Sequence, residues 1–346
     1  MKKAPLIALF FAAALMMLSG CGKITPDRPI PQPKDPEPEK PEDPKVPEEP
    51  EEPAGMDFID VETAFKQMHL VSFVQSCNHY SPHSGVDVTE FRYNDYVANP
   101  QAVFVMQVDL SDETVSMTNT VPGDAKTSFN AGRETLTGQF KRIDMATHWV
   151  IGGTNTDFFA MDGSSPGTPQ GAFWHNGNCL KNTFNSQATR PRCFVYWGDD
   201  EQVHMAKSAE YSTVKARGGF RELFSGGQFL VENGKATNYV EDSVYGVHPR
   251  TMFGVCKDNR HVVLVVIDGR NNTLAIGMNY PDMQKILLSL GCETALNIDG
   301  GGSSTFVVRN ENFSGYGQSA SFTVRNKPSD GSQRKIGPGL AILASD

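Results

Sequence analysis

The sequence predicts an α+β fold: a mixed β-sheet domain with few helices. Three observations predict it. From residue 102 onward, short runs of Val, Ile, Leu and Phe are separated by polar turns, the pattern of buried strands. Only two stretches, residues 133–145 and 280–290, carry helical spacing. No repeat with a period of roughly 20–50 residues is visible, so nothing points to a solenoid or propeller.

The chain begins with segments that precede any fold. Met1-Lys2-Lys3 is a positive start, residues 4–17 are an apolar run, and Leu18-Ser19-Gly20-Cys21 is a small-residue cleavage site. The run is shorter than the ~20 residues needed to cross a bilayer. Its end resembles the lipobox of bacterial lipoproteins, so residues 1–21 are expected to be a signal peptide and Cys21 the lipidated residue. Residues 22–55 follow as a Pro/Glu-rich linker, with 11 of the chain's 22 prolines. That composition cannot bury apolar surface and favours extended chain. The expected location is the bacterial cell envelope, periplasmic or at the outer-membrane surface, with the membrane a partner through the Cys21 lipid. A formal charge of −9 with few basic clusters argues against a nucleic-acid partner.

Export places the remainder where disulfides form. Five cysteines follow Cys21. Cys179 and Cys193 bracket a polar loop and are the expected pair, at least one of the five being unpaired. Cys256 and Cys292 lie in apolar contexts that suit buried thiols, and Cys77 stands alone. No Cys/His group has zinc spacing, so no metal ligand is assigned. His69, His79, His83, His148, His175, His204 and His261 are scattered singly.

In the globular part, residues 102–110 read as a strand, followed by a turn and a second strand from about Val115. Residues 133–145 read as a short helix and residues 149–151 as a strand running into Gly152-Gly153. Further strands are expected at residues 193–196, 228–232, 251–256 and 261–267, the last two joined by the turn Lys257-Asp258-Asn259-Arg260. Residues 280–290 have helix spacing, with Pro281 near the first position and Gly291 as the stop. Residues 295–298 are a short buried strand.

Polar clusters appear where apolar runs end. One is Gly152-Gly153-Thr154-Asn155-Thr156-Asp157-Phe158-Phe159, where the glycines are expected to bend the backbone. Another is His248-Pro249-Arg250-Thr251, with Asp268-Gly269-Arg270 closing the following strand. The last is Asn297-Ile298-Asp299-Gly300-Gly301-Gly302-Ser303-Ser304-Thr305. Three consecutive glycines can turn several N–H groups toward one anion, a candidate phosphate cradle. It is not a P-loop, which needs a Lys, nor a dinucleotide fingerprint, nor is there a Gly-x-Ser-x-Gly elbow.

Together with Ser225-Gly226-Gly227, these phrases resemble the phosphodiester glycosidase family, in the family's order and over roughly residues 152–344. The resemblance fades before residue 102. The expected domain is therefore 102–346, with residues 56–101 a lineage-specific addition. It implies hydrolysis of a sugar-1-phosphodiester, or of a glycan containing one, at the glycosidic carbon. The residues suit that chemistry. An oxocarbenium-like transition state calls for carboxylates, with Asp157, Asp268 and Asp299 as candidates. The phosphate calls for Arg250, Arg270 and the N–H groups of Gly300, Gly301 and Gly302. Asn155, Gly226, His248, Thr251, Asn297, Ser303, Ser304 and Thr305 are the expected substrate-binding set. No cofactor is required, although a divalent cation would be compatible. Two alternatives stay open: a metal-dependent phosphodiesterase with the three aspartates as cation ligands, and a non-catalytic lipoprotein that binds surface glycans.

Overall fold

The computed structural model describes residues 57–129, 132–185, 192–238, 246–312 and 315–346. Cys21 and the proline-rich segment lie outside the described residues. A central sheet of eight strands runs in the order Phe73–His83, Val86–Asn94, Pro100–Asp109, His261–Ile267, Arg250–Cys256, Cys292–Ile298, Phe229–Glu232 and Lys235–Ala236. The expected β-rich domain with few helices is present. Strand directions, expected to be mixed, are antiparallel in every described pairing of this sheet.

Successive residues of a strand point to opposite faces, and both faces of the central sheet are covered. Val103, Val105, Met252, Val263 and Val265 share a core with Phe65 and with Met283, Ile286 and Leu287, from the helices Val61–Gln67 and Tyr280–Ser289. Their neighbours Ala102, Phe104, Phe253, Leu264 and Val266 pack the other way, with Ile151, Phe306, Leu340 and Phe224 of two five-stranded sheets. A strand covered twice must be apolar throughout, and His261–Ile267 is buried at every position. Each such aliphatic side chain contributes about 1.5–3 kcal/mol by leaving water.

The two strands expected after residue 102 form as Pro100–Asp109 and Val115–Thr120, but they do not pair with each other. Both edges of the first are already taken, by Val86–Asn94 and His261–Ile267. The second crosses to a five-stranded sheet, beside Gly339–Ala344. Residues 57–101 are integrated with the rest: their strands extend the central sheet, and Gln107 bonds the backbone of Ile59 through both side-chain atoms. These elements belong to a compact unit of residues 53–346. Among the described residues no helix is long and apolar enough to cross a membrane.

Both expected helices form. The first is shorter than its pattern, Leu136–Ile143, and is capped by Thr135. The second, Tyr280–Ser289, is capped by Asn279 and stopped by Gly291 at φ 72°. Gly152 and Gly153 lie inside the strand Trp149–Asn155, whose register against Gly339–Ala344 shifts between Gly152 and Val150. A Cβ on Gly153 would sit 1.9 Å from the Leu340 carbonyl oxygen, and one on Gly152 2.5 Å from that of Val307. The glycines let three strands approach one another closely.

The expected Cys179–Cys193 bridge is absent, and all five described cysteines are free. Two strands, Phe173–His175 and Glu222–Ser225, stand between the strands that carry them. That separation is roughly 14 Å at the usual strand spacing, beyond the reach of a disulfide.

Candidate active site

Asn155 ends its strand at the centre of a buried seam. Its Oδ1 accepts from Thr251 Oγ1 and from the Thr305 N–H, both at 3.1 Å, while its Nδ2 donates to the Asp299 carbonyl at 2.6 Å. Thr251 Oγ1 in turn accepts from the Ser304 hydroxyl at 3.2 Å. Asn155, Thr251, Ser304 and Thr305 are all buried. They join three chain segments behind the glycine loop and do not line an open surface. Asn297 lies in the same layer, receiving the Gln228 N–H at 3.2 Å. Gly226 packs against it, where a Cβ would meet the Asn297 carbonyl oxygen at 2.8 Å.

Asp299 is half-buried at the end of the strand Cys292–Ile298. Burial pushes its carboxyl up to about 6, against the Ser303 hydroxyl, Arg334, the Gly300 N–H and Arg192, which favour the ionised form. The glycine run is not a free cradle. The Gly300 N–H serves Asp299 itself, and the Gly301 N–H donates to the Pro249 carbonyl at 2.9 Å. The glycines instead admit two guanidinium groups. A Cβ on Gly302 would lie 2.0 Å from Arg334 Nη2, and one on Gly301 3.1 Å from Arg270 Nη2. Arg334 is held by Asp330 at 2.8 Å and reaches Ser303 Oγ at 3.3 Å. Arg270 is exposed and holds φ 59°, a left-handed conformation uncommon for its type.

Asp157 lies behind this layer, 1 % exposed. One of its oxygens accepts the Gly171 N–H at 2.7 Å and the other accepts from Arg192 Nη1 at 3.2 Å. Burial raises its pKa, while Arg192 and the Gly171 N–H pull it back.

The remaining expected residues have other tasks. Asp268 is buried, and its carboxylate accepts Asn326 Nδ2 at 2.9 Å and the Lys327 N–H at 2.9 and 3.0 Å. It ties down the loop after Phe322–Val324. Arg250 donates through Nε to the Met278 carbonyl at 3.0 Å and through Nη2 to the Gly246 carbonyl at 2.7 Å, and it stacks 4.7 Å from the Tyr280 ring centroid. Much of its fork is therefore spent on the protein. His248 is exposed, and its pKa is lowered by partial burial and by Arg250 and Arg270. Among the described residues no group of three or more His, Cys, Asp or Glu side chains could hold a metal ion, so the three aspartates do not form a cation-ligand set.

Sequence reasoning missed Arg192, Arg334 and Asp330. For Arg192 a signal existed in the sequence: Pro191-Arg192 repeats the step Pro249-Arg250, and Arg192 stands just before the strand Cys193–Trp197. Arg334 lies in a polar loop with no such pattern.

A model of the phosphodiester glycosidase family matches residues 148–343. The fold is similar to that of the zebrafish N-acetylglucosamine-1-phosphodiester alpha-N-acetylglucosaminidase catalytic domain, solved auto-inhibited by its pro-peptide. That match has a TM-score of 0.55 and 19% identity over 77% of this chain and 87% of the other. It is also similar to a hypothetical protein from Synechocystis, with a TM-score of 0.53 and 12% identity over 78% of this chain and 64% of the other. Among curated proteins none matches.

Proposed function

We propose that this chain, which belongs to the phosphodiester glycosidase family, hydrolyses the glycosidic C–O bond of a sugar-1-phosphodiester. The products are a free sugar and a phosphomonoester. One observation carries the reading: a half-buried carboxylate, Asp299, set at a loop over which two guanidinium groups lie. A phosphomonoester departs readily, so the site needs charge stabilisation on phosphate more than it needs a strong acid. Arg270 and Arg334 supply it. Asp299, ionised above about pH 6, serves the sugar carbon as nucleophile or as base toward water. The substrate class extends to a glycan containing phosphodiester-linked sugars.

Hydrolysis in ¹⁸O-water tests the bond cleaved. The label is expected in the sugar hydroxyl; label in the phosphate would mean P–O cleavage and would sink this reading.

The sequence also supports attachment to a bacterial envelope membrane through Cys21. Wild type is expected to partition into the detergent phase with its membrane, whereas Cys21→Ser should stay soluble or accumulate as unprocessed precursor. Equal partitioning of the two would remove the anchor.

A further inference from the structure

We propose that Asp157 is a positioning residue: it fixes the Arg192 guanidinium behind the site and, through Arg192 and the adjoining Thr156 carbonyl, holds Asp299 in its working position. The kinetic part rests on the glycosidase reading above.

Both Asp157 oxygens face protein donors, and the side chain is fully buried. A nucleophile must reach the sugar carbon, and a side chain with no exposed surface does not. Arg192 is correspondingly constrained. Besides Asp157, its Nη1 donates to the Gly226 carbonyl at 3.1 Å, its Nη2 bonds Gln170 Oε1, and its guanidinium lies 5.3 Å from the Phe158 ring centroid. A planar fork used on several sides cannot rotate without breaking several contacts. The backbone completes the link. The Asp299 N–H donates to the carbonyl of Thr156, the residue before Asp157, at 2.8 Å.

Arg192 bonds Asp157 directly and, without touching Asp299, also favours its ionised form. Asp299 is also faced by Arg334 with its partner Asp330, while Arg270 lies over Gly301 and Lys181 favours the ionised form of Asp157. Without Arg192, Asp157 and Asp299 oppose each other, and neighbouring carboxylates do not both ionise easily.

Full-length Asp157→Asn and Arg192→Gln are each expected to lower kcat by about 10- to 100-fold with KM nearly unchanged. The double variant should be no worse than the poorer single one, because the two residues act as a unit. Losses that multiply would place Asp157 on the substrate and overturn the proposal. In Arg192→Gln the acid limb of the pH profile should move up by about half a unit or more, since a cation has been removed. Arg192→Lys keeps the charge paired and serves if the Gln variant does not fold; it should retain the limb while losing kcat.

The Asp299 carboxyl can be titrated by ¹³C NMR without substrate. An unmoved midpoint in Arg192→Gln would refute the coupling. Failure of wild type to turn over any sugar-1-phosphodiester would refute the glycosidase reading instead.

Discussion

Asp299→Asn is expected to lose at least about 10²-fold in kcat with little change in melting temperature. The substitution keeps size and hydrogen bonding and deletes the charge. Because Asp299 is half-buried and must be ionised to act, kcat/KM of the wild type should fall tenfold per unit below about pH 6, where burial has placed the carboxyl. Asp268→Asn provides the opposite case. Among the described residues its carboxylate accepts from Asn326 and Lys327 alone, so the cost should fall on stability, about 1–3 kcal/mol, with near-normal kcat. The comparison is read from thermal melts and initial rates of the two variants. Near-normal turnover by Asp299→Asn would remove the carboxylate from the chemistry.

Removal of the Arg270 cation should lower kcat/KM on a sugar-1-phosphodiester by about 10- to 100-fold, or ~1.4–2.7 kcal/mol. Asn is the substitution of choice, because it tolerates the left-handed backbone at φ 59°. Arg270 lies over Gly301 with no carboxylate within ion-pairing distance among the described residues. Its charge is thus available to a phosphate. An activated aryl glycoside that lacks phosphate should be hydrolysed alike by wild type and Arg270→Asn. Arg250→Lys should behave differently, lowering both substrates together, because that fork holds the Met278 and Gly246 carbonyls. A parallel decline of both substrates in Arg270→Asn would assign Arg270 a structural role.

The sequence by itself determined several of the strands, the family resemblance and the neighbourhood of the site. Strands buried on both faces must be apolar throughout, so His261–Ile267 and Arg250–Cys256 were legible as runs. The helix Tyr280–Ser289 was legible because caps and stops are local chemistry. The segments around Asp157, Arg250 and Asp299 were legible because glycines and polar residues interrupt those runs.

Only the tertiary structure decided which strands pair and what each polar side chain faces. The strands before and after residue 110 part company because both edges of the first are occupied by distant segments. Cys179 and Cys193, close in sequence, are held apart by two inserted strands. The three glycines looked like an anion cradle, yet two of their N–H groups are satisfied by Asp299 and Pro249. Of the three aspartates, with Asp299 and Asp157 ranked above Asp268 from sequence, the structure made Asp157 a buried ion-pair partner, Asp268 a loop anchor and Asp299 a half-buried carboxylate. A carboxylate's role follows from its burial and its donors, and here those come from residues up to 59 positions away in the chain, as Lys327 is from Asp268.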